Sequence, residues 1–335
     1  MRHFLRNTLH PERYHGQVRG QRPPFFEGWY YKCVDKTEQH RFAFIPGIFW
    51  GERSHAFVQV LDGARGQVYY HEYPVDVFEA AADHFEVAVG DNRFNGDGLT
   101  LAVDQATQRI AGELQFEGPV AWPVTVASPG IMGWYAWMPF MECYHGVVSL
   151  DHALQGSLHV DGHEIDFTGG RGYIEKDWGR SFPEAWVWFQ TNHFEQPGTS
   201  LTGSIAIIPW LHTSFPGFII GLWHEGRLYR FATYTGARSE RLAVTEHTID
   251  WVVGDKEHRL EMFVTQGPGS QFGLLKGPST FEMGKHVAET LSATVAVRLT
   301  RRGDGRVLYE GTGRHAGLEV HEVESRLLKM VARVR

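Results

Sequence analysis

Cysteine is nearly absent from this 335-residue chain: Cys33 and Cys143 stand far apart, and no CxxC pair occurs. That excludes a disulfide framework and a thiolate zinc site, and it suits a reducing cytoplasm. Positive charge is not concentrated either. The 32 Lys and Arg are outnumbered by 39 Asp and Glu, giving a net charge of −7, and they are scattered. No basic stripe offers itself to a phosphate backbone, so nucleic acid is not an expected partner. Long apolar runs are missing as well. The most apolar stretch, Ser204 to Trp223, is interrupted by Pro209, His212 and Pro216 and reads as two buried strands, not a membrane span. Met1 to Gly20 carries charges and histidines without a continuous apolar core and does not read as a secretory signal. Helical periodicity is scarce, and short helices are expected only around Lys285 to Thr290 and near Glu322 to Val331.

What is present is 42% apolar and 13% aromatic content, enough to bury a full core. The 38 Gly and 15 Pro recur along the whole chain. Asp62-Gly63, Gly90-Asp91, Asp161-Gly162, Glu225-Gly226 and Gly303-Asp304 separate short runs of Val, Ile, Phe, Tyr, Trp and Thr, the pattern of an all-β protein. His55 to Val60 and Leu158 to Val160 alternate with period two, as strands with one wetter and one drier face do.

The chain also resembles itself. Phe42-Ala-Phe-Ile-Pro46 matches Ser204-Ile-Ala-Ile-Ile-Pro209, and His55 to Gly63 matches Gly217 to Gly226. Phe85 to Asp91 pairs with Ile249 to Asp255, Leu99 to Val103 with Leu260 to Val264, and Gly28-Trp-Tyr-Tyr31 with Ala185-Trp-Val-Trp188. Order is kept throughout, so a duplicated β unit is expected, its halves meeting near residues 180 to 185. Each half suits an antiparallel barrel or highly curved sheet around a small-molecule cavity. The expected division is an N-terminal extension 1–19, a first lobe 20–183 and a second lobe 184–335.

The densest segment runs from Gly170 to Phe194, GRGYIEKDWGRSFPEAWVWFQTNHF. On a strand, Tyr173, Glu175 and Asp177 share one face while Ile174, Lys176 and Trp178 take the other. Further on, Trp186, Trp188, Gln190 and Asn192 share a face, two indoles followed by two amides, as in a pocket for a large ligand with a polar end. Phe25-Phe-Glu-Gly-Trp-Tyr-Tyr-Lys32 sets Glu27 and Trp29 among aromatics, and Trp134 to His145 sets Glu142 and His145 behind an apolar stretch. A carboxyl in apolar surroundings is held protonated and serves as a general acid, while aromatic faces steady a carbocation. Together these suit alkene protonation.

Phe26-Glu-Gly-Trp-Tyr30, Phe44-Ile-Pro-Gly47, His55-Ala-Phe-Val-Gln59, Met141-Glu-Cys-Tyr-His145, Gly172-Tyr-Ile-Glu-Lys-Asp-Trp-Gly179 and Phe182-Pro-Glu-Ala-Trp-Val-Trp188 resemble the tocopherol cyclase family over nearly the whole chain after residue 20. More remotely, Tyr173-Ile-Glu175 and Trp178-Gly179 are similar to signals of carotenoid 1,2-hydratases and their lipocalin-like relatives. The resemblance implies two tandem lipocalin-like β-barrel lobes. It also implies a cofactor-independent cyclase, in which a prenyl double bond is protonated and a phenol oxygen closes a chromanol ring. Hydratases begin with the same protonation and let water capture the cation. Plant cyclases carry Asn where this chain has Asp177, a second carboxylate beside Glu175. No plastid-type leader is evident, so a bacterial-type cytoplasmic protein is expected.

Glu175 is the expected proton donor, the alternative being a buried salt bridge to Arg171, Lys176 or Arg180. Asp177 shares the acid role or only caps a turn. His145 relays a proton or orients Glu142. Tyr173, Trp186, Trp188, Gln190, Asn192, Trp29, Gln59 and Glu142 are expected to bind substrate, as is Glu27 unless it pairs with Lys32 or Arg22. His152, His159 and His163 lack a metal-site spacing, so no metal is expected. The loop from Pro129 to Met141 reads as a lid, as a loop touching a membrane surface, where prenyl substrates reside, or as core packing between lobes. The expected ligand is thus a prenylated phenol or related isoprenoid. Alternative functions are hydration or isomerisation of another polyene, or binding without chemistry.

Overall fold

The computed structural model describes residues 7–16, 23–267, 269–324 and 326–334. Of the expected N-terminal extension, 1–6 and 17–19 lie outside the described residues, as does Arg22. The protein is all-β, with two large antiparallel sheets. The first holds β1 (Phe25–Val34), β2 (Arg41–Trp50), β3 (His55–Asp62), β4 (Gln67–Tyr73), β5 (Phe78–Ala80), β6 (Glu86–Val89), β7 (Asn92–Asn95), β8 (Gly98–Gln105), β9 (Gln108–Glu117), β10 (Cys143–Val160), β11 (His163–Asp166) and β12 (Arg171–Gly179). The second holds β13 (Trp186–Thr191), β14 (Ser200–Trp210), β15 (Thr213–His224), β16 (Arg227–Ala232), β17 (Arg238–Val244), β18 (Thr248–Gly254), β19 (His258–Thr265), β20 (Gly273–Gly277), β21 (Lys285–Arg301) and β22 (Val307–His321).

Strand order is 4-3-2-1-12-10-9-8-7-6-5 in the first sheet and 16-15-14-13-22-21-19-18-17 in the second. From one edge the two sequences of neighbours correspond: β1 to β4 match β13 to β16, and β12, β10 and β9 match β22, β21 and β19. This is the architecture of two lipocalin-like lobes that the repeat and the family resemblance imply. The repeat alignment drifts past the fourth strand, because the first sheet carries extra short strands. Leu99 to Val103 lies on β8, whose place corresponds to β18 and not to the β19 that carries Leu260 to Val264.

Ser204 to Trp223 forms the hairpin of β14 and β15, in register from Ser200 opposite Trp223 to Trp210 opposite Thr213. The helix expected around Lys285 to Thr290 is instead the start of β21. Burial there alternates with period two, Val287 and Glu289 in against His286 and Ala288 out, and tertiary pairing with β22 overrides any local helical bias. The other expected helix forms at Leu327–Val334, with Leu327 and Val331 in the core of the second sheet. None of the described helices is long and apolar enough to cross a membrane.

The chain divides into two compact units, Met1–Phe182 with Gly273–Val287, and Pro183–Phe272 with Ala288–Arg335. In the second unit Trp251 is fully buried, meeting Phe189 and Phe218 edge to face at ring separations of 6.1 and 5.8 Å. In the first, Tyr31 packs against Phe94 and Phe116. Rings of this size contribute most of the buried apolar area.

Candidate active site

Strand β12 lies between β1 and β10, so both of its neighbours supply side chains to each of its faces. Its alternation puts Tyr173, Glu175 and Asp177 on one face. His145 of β10 sits directly opposite Asp177, and Val147 opposite Glu175. On the other side Gly28, Tyr30 and Lys32 of β1 face Asp177, Glu175 and Tyr173. Residues directly opposite on antiparallel strands share a face, so these side chains converge.

The convergence is chemical as well as geometric. Tyr173 is fully buried and its hydroxyl donates to Glu175 Oε2 at 2.6 Å, the carboxyl being 5% exposed. His145 Nδ1 lies 2.9 Å from Asp177 Oδ1, and its Nε2 lies 3.8 Å from Glu175 Oε2. With Nδ1–H donated to Asp177, the ring presents Nε2 to Glu175, and an imidazolium formed there is held by a carboxylate on either side. His145, Glu175 and Asp177 each offer a ligand atom, all within 4.8 Å of one another, so this is also where a divalent cation would find one imidazole and two carboxylates.

Beside Asp177 the row across the sheet continues through Gly28, Gly47 and Phe57. A Cβ on Gly47 would come within 2.4 Å of the Phe57 ring, so glycine there lets the ring lie flat across the strand. Phe57 clusters with Phe26, Phe49 and Met283, with Ile45, Tyr70, Cys143 and Phe182 against them. The polar cluster therefore sits next to an apolar floor.

The reverse face of β12 is a different environment. Lys176 and Glu27 are both fully buried and paired at 2.5 Å, and the Lys176 ammonium lies over the rings of Trp29 and Trp178. Glu27 also accepts from the backbone N–H groups of His15 and Gly16. Burial pushes the Glu27 carboxyl up, but the Lys176 ammonium and the bonds from His15 outweigh it and hold it below its usual range.

The structure thus brings Tyr173, Glu175, Asp177 and His145 together, and places Glu27 and Trp29 on the opposite face with Lys176. Lys32, on the other face from Glu27, is not that residue's partner. Arg171 is paired with Asp151 and Lys176 with Glu27. Glu142 lies past the end of the cluster, accepting from Ser181 Oγ at 2.8 Å. Gln59 binds the backbone of Lys276 through both ends of its amide, at 2.7 and 3.3 Å, tying the 273–287 segment to β3. Trp186, Trp188, Gln190 and Asn192 are buried in the second unit, where the Trp186 indole donates to Glu319 Oε2 at 2.6 Å and stacks on His321. His152 is buried against Phe116, bonded to Ser149 Oγ at 2.9 Å, and burial pushes it down to about 3. Lys176 was expected only as an alternative partner of Glu175, and it pairs with Glu27 instead; His15, Phe57 and Met283 were not singled out. Phe57 was within reach, since it lies in the same strand motif as Gln59.

A family model described as "Tocopherol cyclase-like" matches residues 101–322, more than half of the chain. The chain belongs to the tocopherol cyclase-like family. A protein of Oryza sativa subsp. japonica named "Probable tocopherol cyclase, chloroplastic" is 28% identical over 210 residues, covering 59% of this chain and 43% of that protein. "Tocopherol cyclase, chloroplastic" of Zea mays is 27% identical over 210 residues, 56% of this chain and 41% of that one. The match therefore spans under half the length of these curated relatives. Among solved structures, CghA with Sch210972 aligns with a TM-score of 0.54 at 13% identity, over 89% of each chain, a likeness of fold. The family match includes β12 and β10, and with them all four members of the acid cluster.

Proposed function

We propose that this tocopherol cyclase-like protein is an enzyme that protonates the double bond of a prenylated phenol and closes a ring through the phenol oxygen. The observation that carries this reading is the buried Glu175 carboxyl, bonded to Tyr173 and faced by an imidazole whose other nitrogen is held by Asp177. Such a set stores one proton between a carboxyl and an imidazole, out of bulk water and beside an apolar floor.

The steps balance without a redox partner. Glu175 gives its proton to one alkene carbon, whose π pair becomes the new C–H bond. The adjacent carbon becomes cationic, and a lone pair of the phenol oxygen forms the C–O bond. The phenolic proton returns to the Glu175–His145 pair, which resets the site. Asp177 stabilises the imidazolium whenever the proton rests on His145.

Incubation of purified protein with phytyl- and geranylgeranyl-hydroquinones in deuterated water, followed by mass spectrometry, tests this. A cyclised product with one new carbon-bound deuterium is expected. Glu175→Gln should keep the fold and lower turnover by about a hundredfold or more, the scale of a lost general acid. Labelled water oxygen in the product would indicate hydration instead. Recovery of unchanged substrate with wild-type protein would overturn the cyclase reading.

A further inference from the structure

We infer that the N-terminal segment 7–16 is a positioning strap: clamped by Lys176 and Glu27 to the back of β12, it fixes how Glu175, Asp177 and His145 are presented on the front. The inference deepens the proposed function and rests on it for the role of the acid cluster.

Lys176 stands between Glu175 and Asp177 in sequence and points to the other face. Besides Glu27, its ammonium donates to the carbonyl oxygens of Pro11, at 3.1 Å, and Arg13, and to His15 Nδ1 at 2.8 Å. An ammonium only donates, so His15 Nδ1 accepts and the ring carries its proton on Nε2, which donates to Asn7 O at 3.1 Å. The His15 ring stacks on Trp178 at 4.4 Å, and the Trp29 indole donates to Glu12 O at 2.9 Å. The segment is folded on itself as well, Asn7 Nδ2 donating to Tyr14 O.

The strap reaches both strands that carry the acid cluster. Gly146 follows His145 on β10 and lies opposite Lys176. A Cβ there would meet Pro11 Cβ at 3.2 Å and the Trp178 ring at 3.3 Å. Pro11 thus rests directly behind the His145–Asp177 pair, in a space that glycine leaves. A buried ion pair is weak evidence for stability, since apolar residues of similar volume often replace one without loss. What this pair supplies is a single seating for the strap, and through it a single tilt of β10 and β12.

Two full-length variants test the strap: Glu27→Met with Lys176→Met, which removes both charges together, and Gly146→Val, which displaces Pro11. Trypsin cleavage at Arg13 reports release of the strap. Nuclear magnetic resonance of ring-labelled histidines reports His145, assigned by its loss in His145→Gln. Release is expected to shift the His145 signals and its titration midpoint while circular dichroism is unchanged. With an active substrate, kcat is expected to fall about ten- to a hundredfold and KM to stay nearly constant, as for a small misplacement of reacting groups. A released strap with His145 signals and titration as in wild type would overturn the inference. Should the paired variant not fold, Gly146→Val decides alone. If wild-type protein turns over no prenyl phenol, the cyclase reading fails while the His145 readout still judges the strap.

Discussion

Asp177 and Glu175 differ in surroundings although only Lys176 separates them. Glu175 is 5% exposed and takes the Tyr173 hydroxyl, whereas Asp177 is more open and holds His145 Nδ1. Asp177→Asn keeps an oxygen to accept from Nδ1–H but withdraws the charge that holds an imidazolium. Turnover is therefore expected to fall about tenfold or more, with substrate binding retained, and steady-state kinetics on the product-forming substrate will show it. A second residue-scale case lies at Gly172, where a Cβ would sit 2.2 Å from His152 Nε2. That ring packs against Phe116 and is bonded to Ser149 Oγ, so making room means giving up one or both contacts. Gly172→Ala should cost about 1 to 3 kcal/mol in denaturant unfolding, the usual range for overpacking. A midpoint equal to wild type would show that the ring yields.

At the scale of the element, β12 works as a partition. Its front carries groups suited to moving a proton, and its back carries a locked pair with the opposite behaviour in acid. The Glu27 carboxyl is held below its ordinary value of 4.5, so the unfolded chain takes up this proton first as pH drops. Its contribution to stability is present above about pH 4.5 and is lost as pH falls through the lower folded value. Trypsin-accessible Arg13 measured after brief acid exposure should therefore appear first below pH 4.5, before the sheet signal is lost. The two-faced pattern of β12 was legible in the sequence, because period two is a local property and Tyr173 to Trp178 displays it within six residues. The partners on each face were legible only where a family motif named them. His145 came with Met141 to His145, but His15 lies 161 positions from Lys176, and no local pattern announces a contact that only the closed sheet creates. The start of β21 failed for the same reason: Lys285 to Thr290 extends as part of a strand that pairs with β20 and β22, both of which lie outside the segment read for a local helical signal.

At the scale of the whole molecule, the strand order repeats from the first unit to the second while the residues at corresponding places differ. β12 and β22 hold corresponding places, yet the Glu27–Lys176 pair and His152 belong to the first unit. His152 stays neutral in the folded chain, burial pushing it down to about 3, while the unfolded chain takes up the proton near 6.5. The unfolded state then binds more protons, and stability is withdrawn as pH falls from about 6.5 toward 3. At about 1.4 kcal/mol for each unit of difference, that is on the order of a few kcal/mol, a large part of a typical folding free energy. Glu27 adds to the loss below pH 4.5. Both effects draw on the same unit, so acid should open it first. Brief pepsin digestion between pH 4.5 and 3, with fragments identified by mass spectrometry, should release cuts within 25–182 before cuts within 183–267. His152→Gln, which does not titrate, should delay them. Early cleavage confined to 183–267 would mean that the second unit sets the acid limit and that the buried groups behind the acid strand do not.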